Sequence, residues 1–288
     1  MTRAQTPVNS QRRLLAAVRE ARDALRLTQK EVAEALDWSV SKVIRIENGS
    51  VGLSTTDLKA LLLHYGITDR DRVETYVRLA KESKQPGWWD EYRRAFKPEF
   101  VRFLGLEASA FAIRQFQLLL VPGLLQAPEY VRSLMAKGPN APDTIERAIE
   151  VRLTRQGRLK DLEFQHHFII DESVLYRRVT DEDGWRKQLA HLRKVAEQPN
   201  VTLQVFPFTA GFLRGMRSSF QLMELSDQVN DYFLVVEQPA GDVYFDEAAG
   251  ADKGAEHLKI FYQLEEAALP PEETPRMIDK ALARLEEE

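Results

Sequence analysis

The chain has 288 residues, enough for about two domains, and its 44% hydrophobic content can fill ordinary cores. It has no cysteine, which excludes disulfides and thiol catalysis and fits a cytoplasmic protein. No apolar run approaches membrane-spanning length, and the first residues, MTRAQTPVNSQRRLL, lack an apolar signal region. The formal charge of −4 is unevenly spread: residues 1–84 carry 15 Lys+Arg against 11 Asp+Glu, and the remainder 25 against 33. An excess of positive charge at the front suits contact with phosphates, and the acidic remainder should stay off a duplex.

Apolar positions Leu14, Leu15, Val18, Ala21 and Leu25 predict a helix from Asn9 to Leu25, with Arg12, Arg13, Arg19 and Arg22 on its solvated face. The next segment, TQKEVAEALDWSVSKVIRIENG (28–49), reads as two short helices joined by a tight turn. Thr28 and Glu31 have capping-box spacing, and Val32, Ala33 and Leu36 make one apolar face. Asp37 and Trp38 fill the turn. Ser39 caps a second helix from Val40 to about Asn48, in which Val43 and Ile46 point inward, and Gly49 stops it in the left-handed conformation. Val40, Ser41, Lys42, Ile44 and Arg45 point outward. A helix in the major groove presents its N-terminal residues to base edges. Ser41 can donate or accept a hydrogen bond, Val40 or Ile44 can touch a thymine methyl, and Lys42 and Arg45 can reach phosphate or guanine. Gln29 and Asn48 are phosphate candidates. A merely structural amphipathic hairpin explains paired helices less well once caps, small residue, turn and stop coincide.

This pattern resembles the Cro/repressor (Xre-type) helix-turn-helix family. The resemblance implies a five-helix, lambda-repressor-like head with Gln29 on phosphate, Val40, Ser41 and Ile44 on bases, and Lys42, Arg45 and Asn48 on either. Asp37 departs from the family's usual glycine but can take the left-handed conformation at moderate cost. Glu47 is typical of the family and is expected to pair with a nearby cation. The fourth and fifth helices begin at Ser54-Thr55 and Thr68-Asp69 and close the all-α head near Ser83.

Gln85-Pro86-Gly87 marks the expected boundary between a head, 1–84, and a larger mixed α+β domain, 85–288. Trp88 and Trp89 follow; they suit seating against a domain or partner chain better than stacking on nucleic acid. Residues 91–117 read as mostly helical, broken at Lys97-Pro98 and near Gly105, and Phe116–Val121 as a strand or buried segment. Helices are expected from Pro128, over Thr144–Leu162 and over Gly184–Gln198. Strands are expected at Phe164–Ile170, Val201–Phe206, Phe220–Leu225 and Tyr232–Glu237, the last two joined by the polar turn SDQVND, with a short edge at Val243–Phe245. A helix over Ala251–Ala268 and a charged helix over about 271–288 end the chain.

The motifs WW (88–89), LEASAFAIRQF (106–116), VPGLLQAPEY (121–130), RLTRQGRL (152–159) and DESVLYRRV (171–179) resemble actinobacterial antitoxin-like transcriptional regulators. These carry an uncharacterised domain behind an Xre-type head. The resemblance implies transcriptional regulation, often beside a small protein encoded by a neighbouring gene. It transfers no catalytic role.

Arg152, Arg155 and Gln156 share a helix face that can pair internally with acids such as Glu107 or Glu172, meet an interface, or clamp an anionic ligand. Internal or interface pairing fits such a set best. The five histidines have no metal-ligand spacing, and no phosphate-binding or dinucleotide motif occurs, so no catalytic residue, metal or cofactor is expected. Asp171-Glu172 fits a helix cap better than an acid/base pair. The sequence thus predicts a DNA-binding regulator acting on double-stranded DNA as a homodimer, with a ligand-gated sensor or an antitoxin-like interaction module as alternatives.

Overall fold

The computed structural model describes residues 6–225, 231–245 and 247–287. The chain divides after Gly105 into two compact units. The sequence break at Gln85-Pro86-Gly87 falls inside the first.

The first unit opens with α1 (Pro7–Ala24), two residues earlier than periodicity suggested. Thr6 caps it by accepting from the Asn9 amide, and Pro7 occupies the first turn, where its missing N–H would be unpaired anyway. The next elements are α2 (Gln29–Ala35), α3 (Val40–Glu47), α4 (Thr55–His64) and α5 (Arg70–Glu82). Each has a side-chain cap: Thr28, Ser39, Ser54 and Asp69 respectively. Leu14, Val18, Val32, Ala33, Val43, Ile46, Leu58, Leu61 and Leu79 form its common core. Full burial of each aliphatic side chain contributes about 1.5–3 kcal/mol. Four positions of the unit have left-handed backbone: Arg26 at φ 54°, Asp37 at φ 53°, Gly49 at φ 69° and Gly66 at φ 71°. A Cβ on Gly49 would also lie 3.0 Å from Leu15 Cδ1.

A 3-10 helix (Trp88–Arg94) and α6 (Pro98–Glu107) follow. Gly105 is therefore helical rather than in a loop. Its bare Cα accommodates Trp89 and Val8, which a Cβ would approach at 3.0 and 3.1 Å.

The second unit is built on one mixed sheet. Its strands are β1 (Ala112–Gln117), β2 (Gln165–Asp171), β3 (Val201–Phe206), β4 (Phe220–Glu224), β5 (Tyr232–Val236) and β6 (Val243–Phe245). Their order is β3-β2-β1-β4-β5-β6. The first three run parallel; β4, β5 and β6 pair antiparallel. Parallel neighbours need long crossovers. These are α7 (Pro128–Ala136) with α8 (Pro142–Gln156), and then α9 (Glu182–Val195). The helical reading of 91–117 fails at β1. This central strand is buried on both sides, so AIRQFQ lacks the alternation that marks a half-exposed strand.

On one sheet face Phe116, Ile169, Phe206, Phe220, Leu222 and Leu234 pack with Phe261 and Leu264 of α10 (Glu247–Ala267). The opposite face carries buried Gln115, Gln221 and His166. The chain closes with α11 (Thr274–Glu287), whose Met277, Ile278, Ala281 and Leu285 are buried and which packs on α9. Thr274 Oγ1 donates to the Leu203 carbonyl at 2.7 Å. Of the turn SDQVND expected at 226–231, residues 226–230 lie outside the described residues.

Candidate nucleic-acid interface

The 28–49 segment folds as two capped helices around a tight turn. In α2 the Glu31 amide donates to Thr28 Oγ1 at 3.2 Å, and the Thr28 amide donates to Glu31 Oε2 at 2.8 Å. In α3 the Lys42 amide donates to Ser39 Oγ at 3.2 Å. Val43 and Ile46 are buried, which turns the other face outward. Val40 is 39% exposed and Ile44 38%, and Ser41, Arg45 and Asn48 are exposed beside them. An exposed aliphatic pair on a short helix is apolar surface available to a partner.

Beneath that face lies a charged knot. Glu47 is only 2% exposed, and it holds three donors: Arg22 Nε at 2.7 Å, Arg22 Nη2 at 3.1 Å and Gln29 Nε2 at 2.8 Å. Arg22 Nη1 further donates to the Leu27 carbonyl at 2.9 Å. The knot joins α1, α2 and α3. The hydrogen bond to Glu47 raises the Arg22 pKa despite partial burial. Arg22 is therefore a structural residue and not one of the solvated arginines of α1.

Gln29 and Lys42 are also engaged within the unit. Lys42 Nζ sits 2.8 Å from Asp57 Oδ1 and 3.7 Å from the centre of the Trp38 ring. Burial raises the Asp57 pKa, but hydrogen bonds from Lys42 and Ser54 outweigh it and bring the carboxyl below its ordinary value. The pair is partly exposed, and such pairs contribute roughly 0.2–1 kcal/mol, so a phosphate could displace Asp57 at small cost.

Trp89 is buried and Trp88 half-buried, with their rings edge-on at 5.9 Å. A Cβ on Gly87 would lie 2.3 Å from the Trp89 ring, so this glycine is required by packing.

In the second unit, Arg155 meets Glu107 in a bidentate buried pair, with both contacts at 2.7 Å. Gln221 adds a hydrogen bond to Glu107 at 3.3 Å. Burial pushes the Glu107 pKa up, and Arg155 more than reverses that. Arg152 Nε donates to Gln126 Oε1 at 2.8 Å, and Gln156 Nε2 donates to the Gln126 carbonyl at 2.7 Å. Gln126 itself donates to the Val121 carbonyl, and Gln188 bridges the Leu125 carbonyl and the Ala127 amide, each of the last two at 2.7 Å. The VPGLLQ and RLTRQ segments are thus two halves of one internal network. Arg152 and Gln156 serve it, while Arg155 pairs internally with Glu107. Arg158 donates to the Ala110 carbonyl at 2.9 Å. Gln188, whose partners lie more than 60 residues away, carried no sequence signal, and Gln126 was visible only as part of the VPGLLQ motif.

Asp171 caps the 3-10 helix Glu172–Leu175 through the Ser173 amide, and Glu172 Oε2 accepts from the Phe208 amide at 2.9 Å. Among the described residues no group of three or more His, Asp or Glu could hold a metal, and no helix is long and apolar enough to cross a membrane.

Residues 13–75 match a family model described as a helix-turn-helix domain. Residues 100–280 match one described as a domain of unknown function (DUF5753). No curated protein and no solved structure matches. A helix-turn-helix domain points to a DNA-binding regulator rather than an enzyme.

Proposed function

Since the chain belongs to the family of the domain of unknown function DUF5753 and has a helix-turn-helix domain at 13–75, we propose that it is a sequence-specific, Xre-type transcriptional regulator. Helix α3 enters the major groove. Val40, Ser41 and Ile44 face base edges there, Arg45 reaches guanine or phosphate, and Gln29, Lys42 and Asn48 hold the backbone. The observation that carries this reading is the outward row Val40, Ser41, Ile44 and Arg45 on a helix whose other face is buried. The Glu47 knot supports it by fixing α3 against α1 and α2.

A single head of this size makes few contacts, and such heads pair on two-fold operators, so the regulator acts as a homodimer. The antitoxin-like reading, with a small protein from a neighbouring gene as partner, rests on the resemblance of the C-terminal motifs. Selection of bound fragments from a random duplex pool, followed by titration at rising salt, tests the proposal. A two-fold consensus and a steep salt dependence are expected. Arg45→Ala should weaken consensus binding by about 1–3 kcal/mol. Equal affinity of wild type and Arg45→Ala for the consensus would overturn the docking of α3.

A further inference from the structure

The geometry points to a small-molecule site in the second unit that takes an anion bearing a planar ring. A groove of about 830 Å³ lies between the segments that follow β2 and β3 and the last turns of α11. That volume is in the range of small-ligand sites, roughly 300–1,000 Å³. The groove also lies at the carboxyl ends of β2 and β3, which pair in parallel.

Two features set the ligand class. The first is aromatic surface. Phe208 is 61% exposed in the lining, and Tyr176 lines the same groove with Arg284 5.5 Å from its ring centre. A large apolar ring left in water at the wall of a groove gains by being covered. The second is unspent positive charge. Arg177 and Lys280 line the groove, are exposed, and have no side-chain partner among the described residues. Arg177, Lys280 and Arg284 stand in the lining against the two carboxylates Glu172 and Glu287, so one positive charge is left over. A carboxylate or phosphate fits Arg177 and Lys280, and a flat ring fits Phe208 and Tyr176. Aromatic carboxylates and mononucleotides share this chemistry.

Calorimetric titration of the full chain without DNA tests the site independently of DNA reading. The probes are 1-naphthoate and adenosine monophosphate, with 1-naphthamide, adenosine and inorganic phosphate as partial counterparts. One of the two ring anions is expected to bind at least about tenfold more tightly than its uncharged form and than phosphate. Which one binds identifies the source class. Arg177→Ala with Lys280→Ala should weaken it by about a hundredfold, Phe208→Ala by about tenfold, and Glu287→Gln should tighten it. All these side chains are exposed, so unliganded melting should match the wild type. No saturable binding of either ring anion, equal binding of the uncharged forms, or undiminished binding by the double variant would overturn the site.

Discussion

Glu47→Ala removes the acceptor of the knot that joins α1, α2 and α3. The carboxylate takes three hydrogen bonds, two from Arg22 and one from Gln29. Stripping one partner from a fully buried ion pair costs about 3–5 kcal/mol. Here the loss is smaller, because Arg22 is 15% exposed and keeps the Leu27 carbonyl and Asp23 as partners. Hydrogen bonds to charged groups are worth about 1.5–3 kcal/mol, so a net loss of about 2–3 kcal/mol is expected. For a unit of this size that lowers the melting transition by roughly 10–20 °C. Lys30→Ala is the control: its pair with Glu34 spans 3.7 Å between side chains 74% and 66% exposed, and a negligible shift is expected. Differential scanning calorimetry reads both variants. A Glu47→Ala shift no larger than that of Lys30→Ala would refute the structural role of the knot.

Other perturbations probe the second unit and the Gly87–Trp89 packing of the first. Arg155→Ala leaves Glu107 buried without its cation and should destabilise by about 3–5 kcal/mol in urea titrations, with Glu107→Gln added to it recovering part of the loss. His166 is 1% exposed, and burial first, then Arg158, lowers its pKa from 6.5 to about 4. The fold therefore holds the neutral ring, and the stability this gives is complete above pH 6.5 and falls as the pH drops toward 4. At pH 5 the linkage is roughly 2 kcal/mol, and stability measured at pH 7 and 5 should change less in His166→Leu than in wild type. Equal change in both proteins would contradict the burial of a neutral ring. Gly87→Ala places a Cβ against the rigid Trp89 ring and should cost about 1–3 kcal/mol, read from the fluorescence midpoint in urea.

Local chemistry was legible in the sequence. Thr28 and Ser39 cap the helices they were expected to cap, Asp69 of the expected Thr68-Asp69 pair caps α5, and Asp37 takes the left-handed turn. Val201–Phe206, bounded by prolines, is a strand at its predicted limits. What escaped depends on contacts far apart in sequence. Strand β1 looked helical because its Arg and Gln side chains are covered by helices, strands and one another rather than by water. Arg22 looked solvated because its partner lies 25 residues away, and Lys42 looked free because Asp57 lies 15 residues on. The Gln126 network shows the same limit. Its motif was visible as a pattern, but only folding brings Val121–Gln126 beside Arg152 and Gln156.

The chain has no cysteine, which makes the outward surface of α3 directly addressable. Ser41→Cys would carry a single thiol, as would Leu63→Cys on the exposed face of α4. Each is mixed with the selected duplex bearing a disulfide-tethered cytosine whose linker projects into the major groove. The account predicts rapid cross-linking through position 41, at one base step in each half-site, and none through position 63. Equal cross-linking at both positions, or none at 41 in a duplex that is demonstrably bound, would contradict the entry of α3 into the groove.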